Sequence, residues 1–531
     1  MKGKFIWLAT MAVILASCEK ENLFEGETSP RQIDERESVS ELTEGEIELG
    51  EKIESPLLLK NMQRAADSLT KKSGLRSAVS LSPTHLYVRF LPKDSMEYER
   101  VATDTLLDVT PYPLDYELTE GTVYYDPSLP KNSYQWQYAV VPVDYDLASV
   151  GVQYENLEEL YMPTEMFEEE NDENGQLRSA TINSSLGFTL QDLLEEADRQ
   201  TSPKEAMLKS KWTPGATITA YDDILGTIPL QGVTVRIRDF LFVKSRKNTD
   251  ADGRVSFSRR RRRASYSIEW ERSKWDIRDN GVQAYYQGPT KSNWWYLNIC
   301  GESSKSLRYA TIHRALYRYY YDEVYGLSRP LDDIKVDYIS GKPTKDILGK
   351  FIHDDVRRRI EIYGTSRVSG EKNKVHTILS TTFHELTHAS HYYRIGNDKY
   401  NKTKLYIRES WAVFAEWQLT RNEYICKGVD NKRLSLIDSI YQKQQWMPVF
   451  EEVYTPIFID LYDKDNQMKK YGSIYPADEI NYFMVGELDA NVTSIFNFSD
   501  LKSYIYNKVG NQPDKKKKVE TYLNAYNDIW N

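Results

Sequence analysis

The sequence predicts a multidomain protein in which β-rich modules, one of them a β-sandwich, precede a mainly α-helical α+β domain. Three observations carry this. The chain has 531 residues, several times the roughly 100–200 that one domain usually holds. Up to about residue 285, short alternating apolar and polar runs are separated by Gly, Pro and Asp, as in strands joined by tight turns. From about residue 290 apolar residues recur at helical spacing instead. The formal charge of -10 argues against a nucleic-acid partner, and three cysteines are too few for a disulfide scaffold.

The first element is Met1-Lys2-Gly3-Lys4, a basic start, followed by an apolar run from Phe5 to Leu15 that is too short to span a bilayer. It ends in Leu15-Ala16-Ser17-Cys18, which resembles a bacterial lipoprotein signal. The resemblance implies that residues 1–18 are a signal peptide with its lipidated Cys, that cleavage precedes Cys18, and that the lipid tethers the chain to a membrane. Cys18-Glu19-Lys20-Glu21-Asn22 is similar to the start of Bacteroidota lipoproteins sent to the cell surface. That implies export and attachment to the outer membrane. Only Cys300 and Cys426 then remain, either paired or buried. Residues 19–52, crowded with Glu and short of large apolar groups, read as an acidic flexible tether.

Residues 53–205 read as a helix plus a β-rich accessory domain. Leu57, Leu58, Met62, Ala65 and Leu69 mark an amphipathic helix over 53–73, stopped by Gly74. Strands are predicted at His85 to Leu91, Thr122 to Tyr125 and Trp136 to Val143, a loop at Glu168 to Gly175, and a helix at Leu190 to Arg199. No catalytic constellation appears here, so this region reads as a spacer or binding module.

Residues 206–289 carry Ile228-Pro229-Leu230-Gln231-Gly232-Val233-Thr234-Val235 and Thr249-Asp250-Ala251-Asp252-Gly253-Arg254. These pieces resemble the carboxypeptidase-regulatory-like domain, which implies an Ig/prealbumin-like β-sandwich. Asp250 and Asp252 read as hairpin-turn residues rather than cation ligands. The run Arg259 to Arg263 reads as a strand face along a domain interface, with contact to an anionic glycan or lipid headgroup as the alternative.

Residues 290–531 read as one domain. Tyr309, Ile312, His313, Leu316, Tyr320 and Val324 share a helical face. Arg357 to Gly364 alternates like a half-buried strand, and residues 358–363 are a candidate sheet edge that could accept an extended chain. Lys515 to Lys518 reads as a solvated helix start after Pro513. Uninterrupted by proline, Val375 to Arg394 predicts a helix with a buried centre, ended by Gly396. Within it lies His384-Glu385-Leu386-Thr387-His388, and chance gives a chain with seven histidines this motif on the order of one time in a hundred or less.

Two imidazoles four residues apart share a helical face, so both can reach one metal ion while Glu385 stands beside it to move a proton. His391 lies on the same stripe, but seven residues of helix rise about 10.5 Å, too far from His384 for a shared ion, so it reads as a pocket-wall or structural residue. A zinc site needs a third protein ligand and an open position. No His follows His391, and Glu409 and Glu416, two turns apart on one face, each offer a carboxylate.

At this point the chain resembles the gluzincin metallopeptidases, in which His-Glu-x-x-His is followed by a Glu on a second helix with a small residue three positions later. The resemblance implies a mainly helical, zincin-like domain binding one zinc ion, with Glu409 (Ala412 following) as the third ligand. Glu416 is then an outer carboxylate beside the ligands or facing solvent. It also implies peptide hydrolysis with Glu385 as general base, a peptide or protein substrate, and a Tyr or His that stabilises the oxyanion. The latter falls here to Tyr454, Tyr471, Tyr475, Tyr482 or an Arg. Arg408 and Val413 stand where thermolysin-like members have Asn and Asp, so the surroundings of the ligands depart from that branch. The alternative from a different class is a non-catalytic surface lipoprotein that recognises protein or glycan through its β modules.

Overall fold

The computed structural model describes residues 40–41, 45–74, 79–162, 188–201, 210–239, 242–260, 262–301, 304–322, 324–345, 347–353, 358–434, 437, 453–462 and 482–530. The apolar N-terminal run, Cys18, the loop expected at Glu168 to Gly175, Arg261, Arg357, Tyr471 and Tyr475 lie outside them. No helix of the described residues is long and apolar enough to cross a membrane.

A β-rich region comes first: β1 (Ser40–Glu41), β2 (Leu49–Lys52), α1 (Leu59–Lys72), β3 (His85–Leu91), α2 (Ser95–Ala102), β4 (Tyr116–Leu118), β5 (Gln137–Pro142), β6 (Gln153–Leu160) and α3 (Leu190–Thr201). β3 lies between β5 and β6, antiparallel to both. The apolar stripe of α1, Met62, Ala65 and Ala66, packs on Leu193 and Ala197 of α3. Gly74, at φ 67°, adopts the left-handed turn that follows the helix. The strand expected at Thr122 to Tyr125 does not form. Gly121 bonds to Gln287 and Val123 bridges Glu46, so the segment divides its backbone bonds between two partners and builds no ladder.

The central region continues with β7 (Gly215–Asp222), β8 (Gly226–Pro229), β9 (Thr234–Asp239), β10 (Phe242–Asn248), β11 (Arg254–Ser256), β12 (Ala264–Glu269), β13 (Glu271–Arg272), β14 (Trp275–Asp279), β15 (Val282–Gln283), β16 (Tyr285–Lys291) and β17 (Trp295–Ile299). Strands β1-β17-β7-β11 with β8 form one sheet, and β10-β9-β12-β16 another. Alternate residues such as Ile218, Val235, Ile237, Tyr266 and Trp295 are buried in a common core. In the hairpin turn, the Asp250 carboxylate accepts the backbone N–H groups of Asp252 (3.0 Å) and Arg254 (2.9 Å).

Between β12 and β16 the chain leaves these two sheets. β14 pairs in parallel with β18 (Ile334–Ile339), which pairs in parallel with β20 (Arg358–Tyr363), and β19 (Gly349–His353) runs antiparallel on the outside of β20. This six-stranded sheet, ordered β13-β14-β18-β20-β19 with β15 on β14, therefore draws strands from both sides of the domain boundary expected at residue 289. Segment 358–363 is a strand as expected, but it is an interior one. The edge is β19.

Helices complete the fold: α4 (Lys305–Tyr321), α5 (Val375–Ile395), α6 (Asn397–Lys402), α7 (Leu405–Ile425), α8 (Asn431–Leu434), α9 (Ile457–Tyr462), α10 (Val485–Val492), α11 (Phe498–Val509) and α12 (Pro513–Trp530). Packed by α4, α7, β19 and β20, α5 buries every residue from Val375 to Tyr392 except Thr377. One continuous core runs from Ala216 in the central sheets to Tyr526 in the last helix.

Candidate metal centre

The local signals for α5 are the absence of proline and Gly396 at φ 77°, which caps the helix through its N–H to the Tyr392 carbonyl. α7 packs against α5 and brings Glu409 and Glu416 to the His384 to His388 face. There His384 Nε2 and His388 Nε2 stand 3.1 Å apart, and Glu409 Oε2 lies 3.2 Å from the first and 3.1 Å from the second. These three residues form a group able to hold a metal ion. A tetrahedral ion with bonds of about 2.0–2.1 Å spaces its ligand atoms about 3.3 Å apart, so the triad would need to open by only a few tenths of an ångström.

The outer nitrogens decide which atoms face the centre. His384 Nδ1 is 3.0 Å from Glu416 Oε2, and His388 Nδ1 is 3.2 Å from the Tyr400 hydroxyl. With a proton on each Nδ1, both Nε2 lone pairs and a carboxylate oxygen converge, an arrangement a cation satisfies. Glu416 thus contacts a ligand and not the centre itself. Burial opposes protonation of His384, but hydrogen bonds to Glu409 and Glu416 outweigh burial and raise its imidazole to about 10. Burial likewise works against the Glu409 carboxylate, yet His388 and His384 hold it far below the usual range.

Glu385 is 6% exposed. Burial raises its pKa, the two histidines oppose the rise, and Glu409 and Glu416 add to it. A raised pKa makes this carboxylate a stronger proton acceptor than an ordinary glutamate. Its chain lies against β19, where Gly349 approaches it directly.

His391 stays out of the triad. Burial, reinforced by His388, Arg394 and Arg408, drives its imidazole down to about 3, and its ring meets Tyr400 at 5.6 Å. Arg408 lies over the Tyr400 ring at 4.7 Å. Among the tyrosines named above, Tyr454 has its ring 6.4 Å from that of His384. Ser410, next to Glu409, fixes the segment that carries Tyr454 by accepting from the Thr455 N–H at 3.1 Å and bonding its hydroxyl at 2.8 Å. Tyr482 instead packs under the Lys515 ammonium, 4.7 Å from its ring. Tyr400 escapes sequence reasoning altogether, because it sits on a separate short helix at no diagnostic spacing.

Away from this centre, the arginine run is divided: Arg259 and Arg263 are exposed, whereas Arg260 and Arg262 are half-buried. Arg260 bridges Trp212, Arg259 donates to the Lys211 carbonyl at 3.1 Å, and Arg262 pairs with Asp198 of α3. Cys426 is an exposed free thiol. No protein-family model, curated protein or solved structure matches the chain.

Proposed function

We propose that the chain is a zinc metallopeptidase acting on peptide bonds of proteins outside the cytoplasm. His384, His388 and Glu409 hold one zinc ion, and Glu385 is the general base. The observation that carries this reading is the convergence of two imidazole nitrogens and one carboxylate oxygen within 3.1–3.2 Å of one another beside a buried glutamate. Two nitrogens and one oxygen suit zinc and leave a coordination position open. Bound zinc supplies Lewis acidity, which polarises a carbonyl and acidifies water.

The protein's own groups do the rest. Glu385 takes the proton of the attacking water and passes it to the departing nitrogen. Tyr454 donates a hydrogen bond to the developing oxyanion. Tyr363 N–H bonds the Leu348 carbonyl at 2.9 Å, and with Gly349 opposite Ile362 the antiparallel alternation turns the N–H and C=O groups of Gly349, Phe351 and His353 to the free edge. A substrate strand adds there. A buried helix beneath a sheet with an antiparallel edge strand supports the zincin-like reading, and the two central sheets support the sandwich reading. The Leu-Ala-Ser-Cys ending at Cys18 supports export with a lipid anchor at the outer membrane.

The test compares the parent chain with Glu385→Gln for zinc content and cleavage of a peptide library. Zinc near one ion per chain in both, with cleavage reduced by about 10²–10⁴-fold or more in the variant, is expected. Zinc-loaded parent protein that cleaves nothing would contradict the proposal.

A further inference from the structure

The edge strand passes unusually close to the proposed base. A Cβ built on Gly349 would lie 2.7 Å from Thr381 Cγ2, 2.8 Å from Glu385 Oε1 and 2.9 Å from Glu385 Cγ, all inside van der Waals contact. Thr381 and Glu385 are one turn apart, so together they form the face of α5 that meets β19. Gly349 is absent from the glycines with positive φ, so its backbone conformation is open to any residue. What the position requires is space.

We propose that Gly349 is a positioning residue for Glu385: the missing side chain is the room in which the carboxylate sits, between the edge strand and the metal ligands. This rests on the reading of Glu385 as general base. Glu385 cannot retreat with its helix, because Phe383 and Leu386 on either side are fully buried at 0% exposure and interiors are close-packed. A methyl group at 349 therefore swings the carboxylate off its position or lifts β19 from α5. Both outcomes separate the base from a substrate backbone paired at the free N–H and C=O of Gly349. Of the zinc ligands, His384 precedes Glu385 and projects from a different face of α5, His388 lies on the next turn and Glu409 on α7, and they keep their places. Loss of Gly349 should thus affect proton transfer and leave the metal site intact.

The experiment compares the parent chain with Gly349→Ala for zinc affinity, for kcat and KM on a peptide that the parent cleaves, and for the Glu385 position in a crystal structure of the zinc-loaded variant. The expected result is zinc affinity within about threefold of the parent, a kcat lower by about a hundredfold, the scale on which ångström misplacement acts, and a displaced Glu385 carboxylate or lifted edge strand. A variant with kcat within about threefold of the parent, or a Glu385 carboxylate unmoved beside an unlifted β19, overturns this inference while leaving the peptidase reading standing. A parent that binds zinc and cleaves no peptide overturns both. Should Gly349→Ala fail to fold, Thr381→Ala is added to remove the other obstructing group. A folded double variant still lacking cleavage supports the inference, and one that cleaves normally overturns it.

Discussion

His384 and His388 hold their outer protons on unlike neighbours, a carboxylate at Glu416 and a phenol at Tyr400. Such partners fix ring orientation and basicity, and removing one typically costs 10–100-fold in metal affinity. Tyr400→Phe is therefore expected to weaken zinc binding by about 10-fold or more with the fold retained, read by competition with a chelating dye. Tyr454→Phe should leave zinc affinity alone and lower kcat by about 10²–10³-fold, the range for loss of an oxyanion donor. The histidines and Glu385 were legible in the sequence because their geometry depends on helix period alone. Glu409 and Glu416 were legible as a pair, but which one reaches the centre depends on how α7 lies on α5. Tyr400 and Gly349 act through tertiary approach, which no local spacing encodes.

At the scale of elements, β3 and α5 follow directly from alternation and from an unbroken apolar period. Segment 358–363 was equally legible as a strand, yet its place inside the sheet was not, because β18 and β19 compete for its two sides through non-local pairing. One consequence is a buried acid within that sheet. Asp337 of β18 is 2% exposed and accepts the Gly281 N–H at 2.8 Å. Burial, partly offset by that bond and by Arg359 and Arg278, raises its pKa to about 6. A folded-state value above the unfolded one of about 3.9 means stability fully present below about pH 4 and lost as pH rises through 6. Asp337→Asn should flatten that dependence, removing a loss on the order of 2–3 kcal/mol, as measured by urea denaturation at pH 4 and pH 8. Phe383→Ala, in the fully buried centre of α5, should cost about 3–5 kcal/mol in the same assay.

For the whole molecule, the central sheets share one core with the helical region. Asp222, at the end of β7 and 0% exposed, accepts from Arg314 of α4 at 2.5 Å and from Tyr424 of α7 at 3.0 Å. Its neighbour Asp223 bonds His376 in the first turn of α5 at 2.6 Å, and Arg314 continues to Glu423 at 2.9 Å. One hairpin thus ties together the ends of the helices that carry the metal ligands. Breaking a buried pair leaves an uncompensated charge, so Asp222→Asn is expected to destabilise the helical region by about 3–5 kcal/mol, seen as a lower urea midpoint with unchanged slope. The sequence marked residues 206–289 as a separate domain because turn chemistry is local, whereas the shared core and this clamp join residues from 92 to 202 positions apart. The most direct test of the account is cleavage of a peptide library by zinc-loaded parent protein beside its Glu385→Gln variant at equal zinc content. Cleavage by the parent alone is expected; equal cleavage by both, or none by a fully loaded parent, would contradict it.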